Sequence, residues 1–247
     1  MADLFDLTGR VALVTGGSRG LGRQMVLAFA DAGADVVIAS RKADACEATA
    51  REVRERGRRA LAVPTHVGRW ADLDALVEAA YAEFGRVDVL VNNAGMSPLA
   101  PSSVETSEEL FDKVVGVNFK GPFRLTALVG QRMADGDGGS IINVSSSGAL
   151  MPKPRFGPYA GAKAALNALT TAFALEFAPK VRVNTISAGP FLTDIADHWP
   201  EEDRRRSRSA IGRPGRPEEI VTTALYLASP ASSFTNATIV RVDGGLY

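Results

Sequence analysis

Two side chains four residues apart carry the chemistry most easily read from this chain. Tyr159 and Lys163 lie in a stretch of helical pattern, so they share one helix face. A free phenol has a pKa near 10, too high for an efficient base at neutral pH. An ammonium about 4 Å away favours the phenolate by roughly 4 kcal/mol at an effective dielectric near 20, before desolvation subtracts some of it. A phenol so placed is suited to giving and taking a proton. Tyr–x–x–x–Lys is also a common surface pairing. The three consecutive hydroxyls upstream, Ser145-Ser146-Ser147, set this one apart.

A second constellation sits near the other end of the chain. The apolar run Val11–Thr15 leads straight into Gly16-Gly17-Ser18-Arg19-Gly20-Leu21-Gly22, where a helical pattern begins. A pyrophosphate needs a tight turn, backbone without Cβ in the way, and free amides at a helix N-terminus. Gly16, Gly20 and Gly22 offer those three. Their G-x-x-x-G-x-G spacing departs from the strict G-x-G-x-x-G dinucleotide pattern, and no Gly-Lys-Ser/Thr follows to make a P-loop. Gly16–Gly20 also spells the G-x-S-x-G nucleophile elbow. That fold puts an oxyanion-hole loop before the elbow, and here ten residues precede the first strand. The chain's two histidines are His66 and His198, so the base would have to be His198. A serine hydrolase is not the expected reading.

Asn92-Asn93-Ala94-Gly95 closes another apolar run. Taken with the glycine loop, the serines and Tyr159-Ala160-Gly161-Ala162-Lys163, it resembles the short-chain dehydrogenase/reductase family. The 3-oxoacyl reductase-like and gluconate 5-dehydrogenase-like members are the nearest in pattern. The resemblance runs from Gly9-Arg10-Val11 to Asp243-Gly244-Gly245, and the motifs in this order are highly specific. It implies hydride transfer between a nicotinamide dinucleotide and a small-molecule carbonyl or secondary alcohol. Tyr159 is then the general acid in reduction and the base in oxidation. Ser146, with Ser145 or Ser147 as alternatives, would hydrogen-bond the substrate oxygen. Lys163 would bind the nicotinamide ribose and assist Tyr159. Asn118 would complete a proton relay, a helix kink held by its side chain being the plainer reading.

The same resemblance places Gly16, Ser18, Arg19, Gly20, Leu21, Gly22, Asn93, Ala94, Gly95, Tyr159, Lys163, Pro190, Leu192 and Thr193 at the cofactor. The second strand ends Ser40-Arg41-Lys42, where NAD-preferring relatives carry an Asp for the ribose 2′-hydroxyl. Arg19, Arg41 and Lys42 suit a 2′-phosphate instead, so NADP(H) is favoured over NAD(H). His66-Val67 stands where the family commonly has Asp-Val. A neutral imidazole there would accept from the adenine amino group. A non-catalytic NAD(P)-sensing or scaffold protein on the same fold is the alternative, and the complete Asn118, Ser146, Tyr159 and Lys163 set argues against it.

The elements that must position these residues alternate along the chain. Strands are expected at Val11–Thr15, Asp35–Ser40, Ala60–Val63, Val87–Asn92, Ser140–Ser145, Val181–Ile186 and Thr238–Val242. Helices are expected at Gly20–Asp31, Ala43–Arg56, Trp70–Phe84, Ser107–Met133, Pro158–Phe177 and Pro217–Ala228. Unbroken apolar strands separated by helices imply a doubly wound α/β, Rossmann-type parallel sheet of seven strands with helices on both faces. No linker or repeat divides residues 1–247, so a single domain is expected, with 188–216 a substrate-binding loop. Met96, Pro98, Leu99, Met151, Phe156, Phe191, Leu192, Ile195, His198 and Trp199 should wall a largely apolar cleft.

Bulk composition excludes several other classes. The chain's 28 Lys and Arg balance 28 Asp and Glu, which gives no case for nucleic acid. The run Arg204, Arg205, Arg206 and Arg208 lies beside three acids, as on a solvated helix face. No apolar stretch approaches the roughly 20 residues that span a bilayer. One cysteine, Cys46, permits no internal disulfide, and no thiol cluster suits a metal. With no secretory leader, a cytoplasmic protein is expected. By analogy with the family it would be a homo-oligomer, a dimer or tetramer.

Overall fold

A computed structural model describes residues 4–194, 196 and 201–246. Seven parallel strands form one sheet: β1 (Val11–Thr15), β2 (Asp35–Ser40), β3 (Ala60–Pro64), β4 (Val89–Asn92), β5 (Gly139–Ser146), β6 (Val181–Ala188) and β7 (Ile239–Val242). Their order is β3-β2-β1-β4-β5-β6-β7. The winding therefore reverses between β1 and β4, and the carboxyl ends of those two strands open a crevice. Around the sheet lie α1 (Gly20–Asp31), α2 (Ala43–Glu55), α3 (Trp70–Phe84), α4 (Glu108–Val115), α5 (Gly121–Asp135), α6 (Ser147–Leu150), α7 (Gly157–Glu176), α8 (Glu201–Arg205) and α9 (Val221–Ala228).

The two-residue period of the strands sorts their side chains into two cores. Ala12, Val14, Val36 and Ile38 pack with Met25 and Phe29 of α1 and Leu227 of α9. Val11, Leu13 and Val37 pack with Leu73 and Leu76 of α3, Leu125 of α5 and Phe173 of α7. Because both faces are covered, every residue of β1 is buried. Its unbroken apolar spelling follows from that.

The stretch expected as one helix from Ser107 to Met133 is three pieces. Ser107 opens α4 by accepting from the Leu110 amide at 3.2 Å, but a π-helical turn spans Gly116–Lys120 before α5 begins. Pro122 cannot donate back to residue 118, and its ring would crowd that carbonyl in a regular α-helix. The wider turn relieves the conflict. The last expected helix likewise starts as a 3₁₀ turn, Pro217–Ile220.

A row of polar side chains crosses the sheet interior. Asn92, Asn143 and Thr185 are in register on β4, β5 and β6. The Asn92 amide donates to Asn143 Oδ1 at 2.9 Å and Thr126 Oγ1 at 3.0 Å. Asn143 Nδ2 donates to Thr170 Oγ1 at 2.9 Å, and Thr170 meets Thr185 at 2.7 Å. Hydrogen bonds thus fix α5, through Thr126, and α7, through Thr170, to the strands. Thr170→Val keeps the shape and strands these partners. It should destabilise the fold by about 1–3 kcal/mol, read as a lower urea midpoint with an unchanged m-value.

Candidate active site

The crevice between β1 and β4 is built by short polar links. Thr15 Oγ1 accepts from the Asn93 and Ala94 amides at 3.0 and 3.1 Å, and Asn93 Nδ2 donates to Thr15 O at 2.9 Å. Gly16 has φ +65°, and a Cβ there would lie 2.8 Å from Asn93 Nδ2. A Cβ on Gly22 would lie 2.2 Å from Gly16 O. The turn therefore admits no side chain at either position. Arg19 precedes α1 without a side-chain cap, so the first-turn amides face an acceptor from outside the helix. This cradle fits a pyrophosphate.

Ser18 Oγ and Ser40 Oγ are 2.9 Å apart, which joins the glycine loop to the end of β2. Next to Ser40, Arg41 and Lys42 are exposed and make no ion pair with a described residue. Arg19 is different: its guanidinium meets Asp194 at 3.2 Å across the crevice. That leaves Arg41 and Lys42 as the two unengaged cations of the expected three. His66 Nδ1 accepts from the Gly68 amide at 3.2 Å. The neutral ring then carries its proton on Nε2, and presents a donor where an acceptor for the adenine amino group was expected. Val67 is buried behind it.

On the other side of the crevice the structure brings Ser146, Tyr159, Lys163, Asn118 and Gly95 together. Of the three serines, Ser146 is the one whose hydroxyl meets Tyr159. Ser145 points to the opposite strand face and donates to Lys163 O at 3.3 Å, while Ser147 is buried at the start of α6. Ser146 Oγ also accepts from the Gly148 amide at 3.1 Å. The Phe156 ring packs edge-on against Tyr159, centroids 6.2 Å apart.

Burial pushes the Tyr159 phenol above its ordinary value, and the Ser146 hydroxyl pulls it back in part. The lowering expected from Lys163 does not appear. The Lys163 ammonium, 3% exposed, is turned to Val144 O at 2.7 Å. Burial holds its pKa down to about 8. The side chain of Asn118 is fully engaged: Nδ2 donates to Val114 O at 2.9 Å and Met96 O at 2.8 Å, and Oδ1 accepts from the Met96 amide at 3.3 Å. It therefore holds the π turn and the start of the loop after β4. A Cβ on Gly95 would sit 3.0 Å from Asn118 Oδ1 and 3.6 Å from Lys163 Nζ.

The segment after β6 crosses over the glycine loop. Leu192 N donates to Gly215 O and Gly215 N to Pro190 O, at 2.8 and 2.9 Å, which ties this strap down. Thr193 lies beside Gly20, 3.4 Å from where a Cβ would stand. Phe191 departs from expectation. It is buried against Gly215 in the core shared with α1, because the strap needs an apolar anchor, and it does not wall a cleft. Ile195, His198 and Trp199 lie outside the described residues. The Thr15 pin, the Val144 carbonyl under Lys163 and the Arg19–Asp194 bridge were not expected from sequence. Each joins residues far apart in the chain, and none has a local spacing signal.

The family model described as enoyl-(acyl carrier protein) reductase matches residues 16–247. A short chain dehydrogenase/reductase of Aspergillus oryzae is 37% identical, over 98% of this chain and 96% of its own. Among solved structures, a 3-ketoacyl-(acyl-carrier-protein) reductase of Brucella melitensis complexed with NADH superposes with a TM-score of 0.90 at 36% identity, covering 97% of this chain and 99% of that one. A 7α-hydroxysteroid dehydrogenase complexed with NADH and 7-oxo glycochenodeoxycholic acid gives 0.94 at 32% identity, covering 99% and 97%. The chain belongs to the short-chain dehydrogenase/reductase family. Its members are oxidoreductases that act on CH–OH or C=O groups with a nicotinamide cofactor.

Proposed function

We propose that this chain is an NADP(H)-dependent oxidoreductase of a moderately hydrophobic ketone or secondary alcohol, with Tyr159 as its proton-transfer group. The observation that carries this reading is the pairing of the Tyr159 and Ser146 hydroxyls across the crevice from an uncapped helix start, at the sheet's reversal point. The dinucleotide, when bound, supplies or takes the hydride. The chain does the rest. Ser146 holds the substrate oxygen through its hydroxyl, and Tyr159 delivers a proton to that oxygen in reduction. Its raised pKa keeps the phenol protonated at neutral pH, which suits donation. Lys163 stands one helical turn on to hold the nicotinamide ribose, with Asn118 fixing Met96 beside it.

For the cofactor, Gly16, Ser18, Gly20, Leu21 and Gly22 would cradle the pyrophosphate. Asn93, Ala94, Gly95, Pro190, Leu192 and Thr193 would enclose the nicotinamide half, with His66 and Val67 at the adenine. Arg41 and Lys42 support NADP(H) over NAD(H): both are cationic and exposed at the end of β2, where no carboxylate stands to repel a 2′-phosphate. The two related structures hold NADH, so they speak for the nicotinamide class and leave the preference to these residues. Residues 188–216 would serve as the substrate-binding segment of a single domain spanning 1–247. Large exposed apolar side chains on α4, α5 and α7 (Phe111, Phe123 and Leu175) support a homo-oligomer, dimer or tetramer. Among the described residues no helix is long and apolar enough to cross a membrane, and the proposed site is cytoplasmic.

Fluorescence titration with NADPH and NADH tests the cofactor. The double substitution Arg41→Ser, Lys42→Ser should raise the NADPH Kd by about tenfold or more, the size of one or two lost charge-assisted hydrogen bonds. The NADH Kd should change little. Tighter binding of NADH by the unaltered protein would overturn the NADP(H) assignment. Absence of binding by both would overturn the oxidoreductase reading itself.

A further inference from the structure

We infer that Arg155, with Lys153 beside it, receives a carboxylate at the far end of the substrate, so that this enzyme acts on apolar carbonyl compounds carrying an acid group. The inference rests on the hydride-transfer reading above and narrows its substrate class. Arg155 lies in the loop between α6 and α7 with φ +70°, a left-handed conformation that side chains other than glycine rarely adopt. Holding it there costs free energy, so the surrounding contacts must fix it. One contact is visible: Arg155 Nε donates to Ala100 O at 2.9 Å. Ala100 is in the loop that follows β4, and that loop begins at Gly95 beside Asn118 and Lys163. The bond therefore joins the two loops that leave the proposed catalytic cluster.

The charge is left available. Arg155 Nη1 and Nη2 have no partner among the described residues, and neither has the Lys153 ammonium. The acid of the facing loop, Glu105, is occupied by Ser102 Oγ at 2.7 Å. Between the cluster and this pair of cations the two loops carry Met96, Pro98, Leu99, Met151 and Phe156, all apolar. Phe156 adjoins Arg155 and packs on Tyr159. Two loops of mostly apolar residues that lead from a proton donor to an exposed guanidinium, anchored at its Nε, match a ketone with a hydrocarbon body and a terminal carboxylate. Two parallel N–H donors suit that group's geometry.

The test uses keto carboxylates of graded chain length, each paired with its neutral methyl ester, and compares kcat/KM with NADPH. The intact protein should favour the acid of a productive pair by at least about tenfold, less so at high salt. In Arg155→Gly the backbone conformation is retained without strain and the cation is lost. The acid-to-ester ratio should fall by at least about fivefold, through KM rather than kcat. Arg155→Lys should recover part of it. Equal use of acid and ester by the intact protein, or an unchanged ratio in Arg155→Gly, would overturn the carboxylate assignment while the hydride-transfer reading stands. If no pair is turned over while the same protein reduces a neutral ketone with NADPH, the carboxylate assignment fails alone; if a protein that binds NADPH reduces no ketone of a broad panel, the hydride-transfer reading fails with it.

Discussion

Replacing Tyr159 with phenylalanine is expected to slow ketone reduction at least about a hundredfold, the usual size of a general acid–base contribution. The change removes one oxygen and little else. The ring keeps its edge-on contact with Phe156, and the packing of α7 on the sheet does not involve the hydroxyl. NADPH affinity should therefore change little. Single-turnover oxidation of bound NADPH, followed by absorbance, separates this loss from slow product release. The pH dependence has a definite sign. Because burial holds the phenol above its ordinary value, the acid form persists through neutral pH, and reduction should decline only as alkaline pH deprotonates it. Retained reduction in Tyr159→Phe would mean that another group supplies the proton.

Lys163→Met should do two opposite things. Turnover should fall by a comparable factor, since the ammonium proposed to hold the nicotinamide ribose is gone. Stability at pH 7 should rise by about 1–2 kcal/mol. The reason lies in the burial of an ammonium whose only hydrogen-bond partner among the described residues is the Val144 carbonyl. Its pKa drops from 10.5 to about 8, which corresponds to about 3 kcal/mol against the charged form in the folded state. Part of that gain is lost because Val144 O gives up its donor. A folded pKa below the unfolded one means the unfolded chain holds the proton more tightly between those values. The penalty is thus full below about pH 8 and fades as pH climbs toward 10.5. The difference in urea midpoint between variant and parent should shrink over that window. A variant less stable than the parent at pH 7 would show that the carbonyl bond outweighs desolvation.

Much of the fold was readable because parallel strands buried on both faces spell themselves as unbroken apolar runs. All seven sit within a few residues of their expected places. The region of Asn118 was less legible. Apolar periodicity ran through it, and the π turn arises from a proline two positions past the turn and from an amide bonded to a loop distant in sequence. The proposed catalytic cluster was legible as residue types, since Tyr159 and Lys163 are locked together by helical spacing. Their electrostatics were not. Spacing puts the ammonium near the phenol, but the depth of the site and the Val144 carbonyl decide where the ammonium turns. Phe191 shows the same limit: an aromatic in an irregular segment spells neither cleft nor anchor, and its place emerges only once Gly215 packs beneath it.

The grip of Asn118 on Met96 has a bearing on how this scaffold can change. Both main-chain groups of Met96 are taken by one amide, so the loop after β4 is pinned at its root. Everything from Ser97 onward hangs beyond that fixture. Lengthening, shortening or grafting the stretch up to Ser107 would redraw the rim while Gly95 and its neighbours keep their positions. A single asparagine thereby separates the part of the molecule that must stay constant from the part free to diversify.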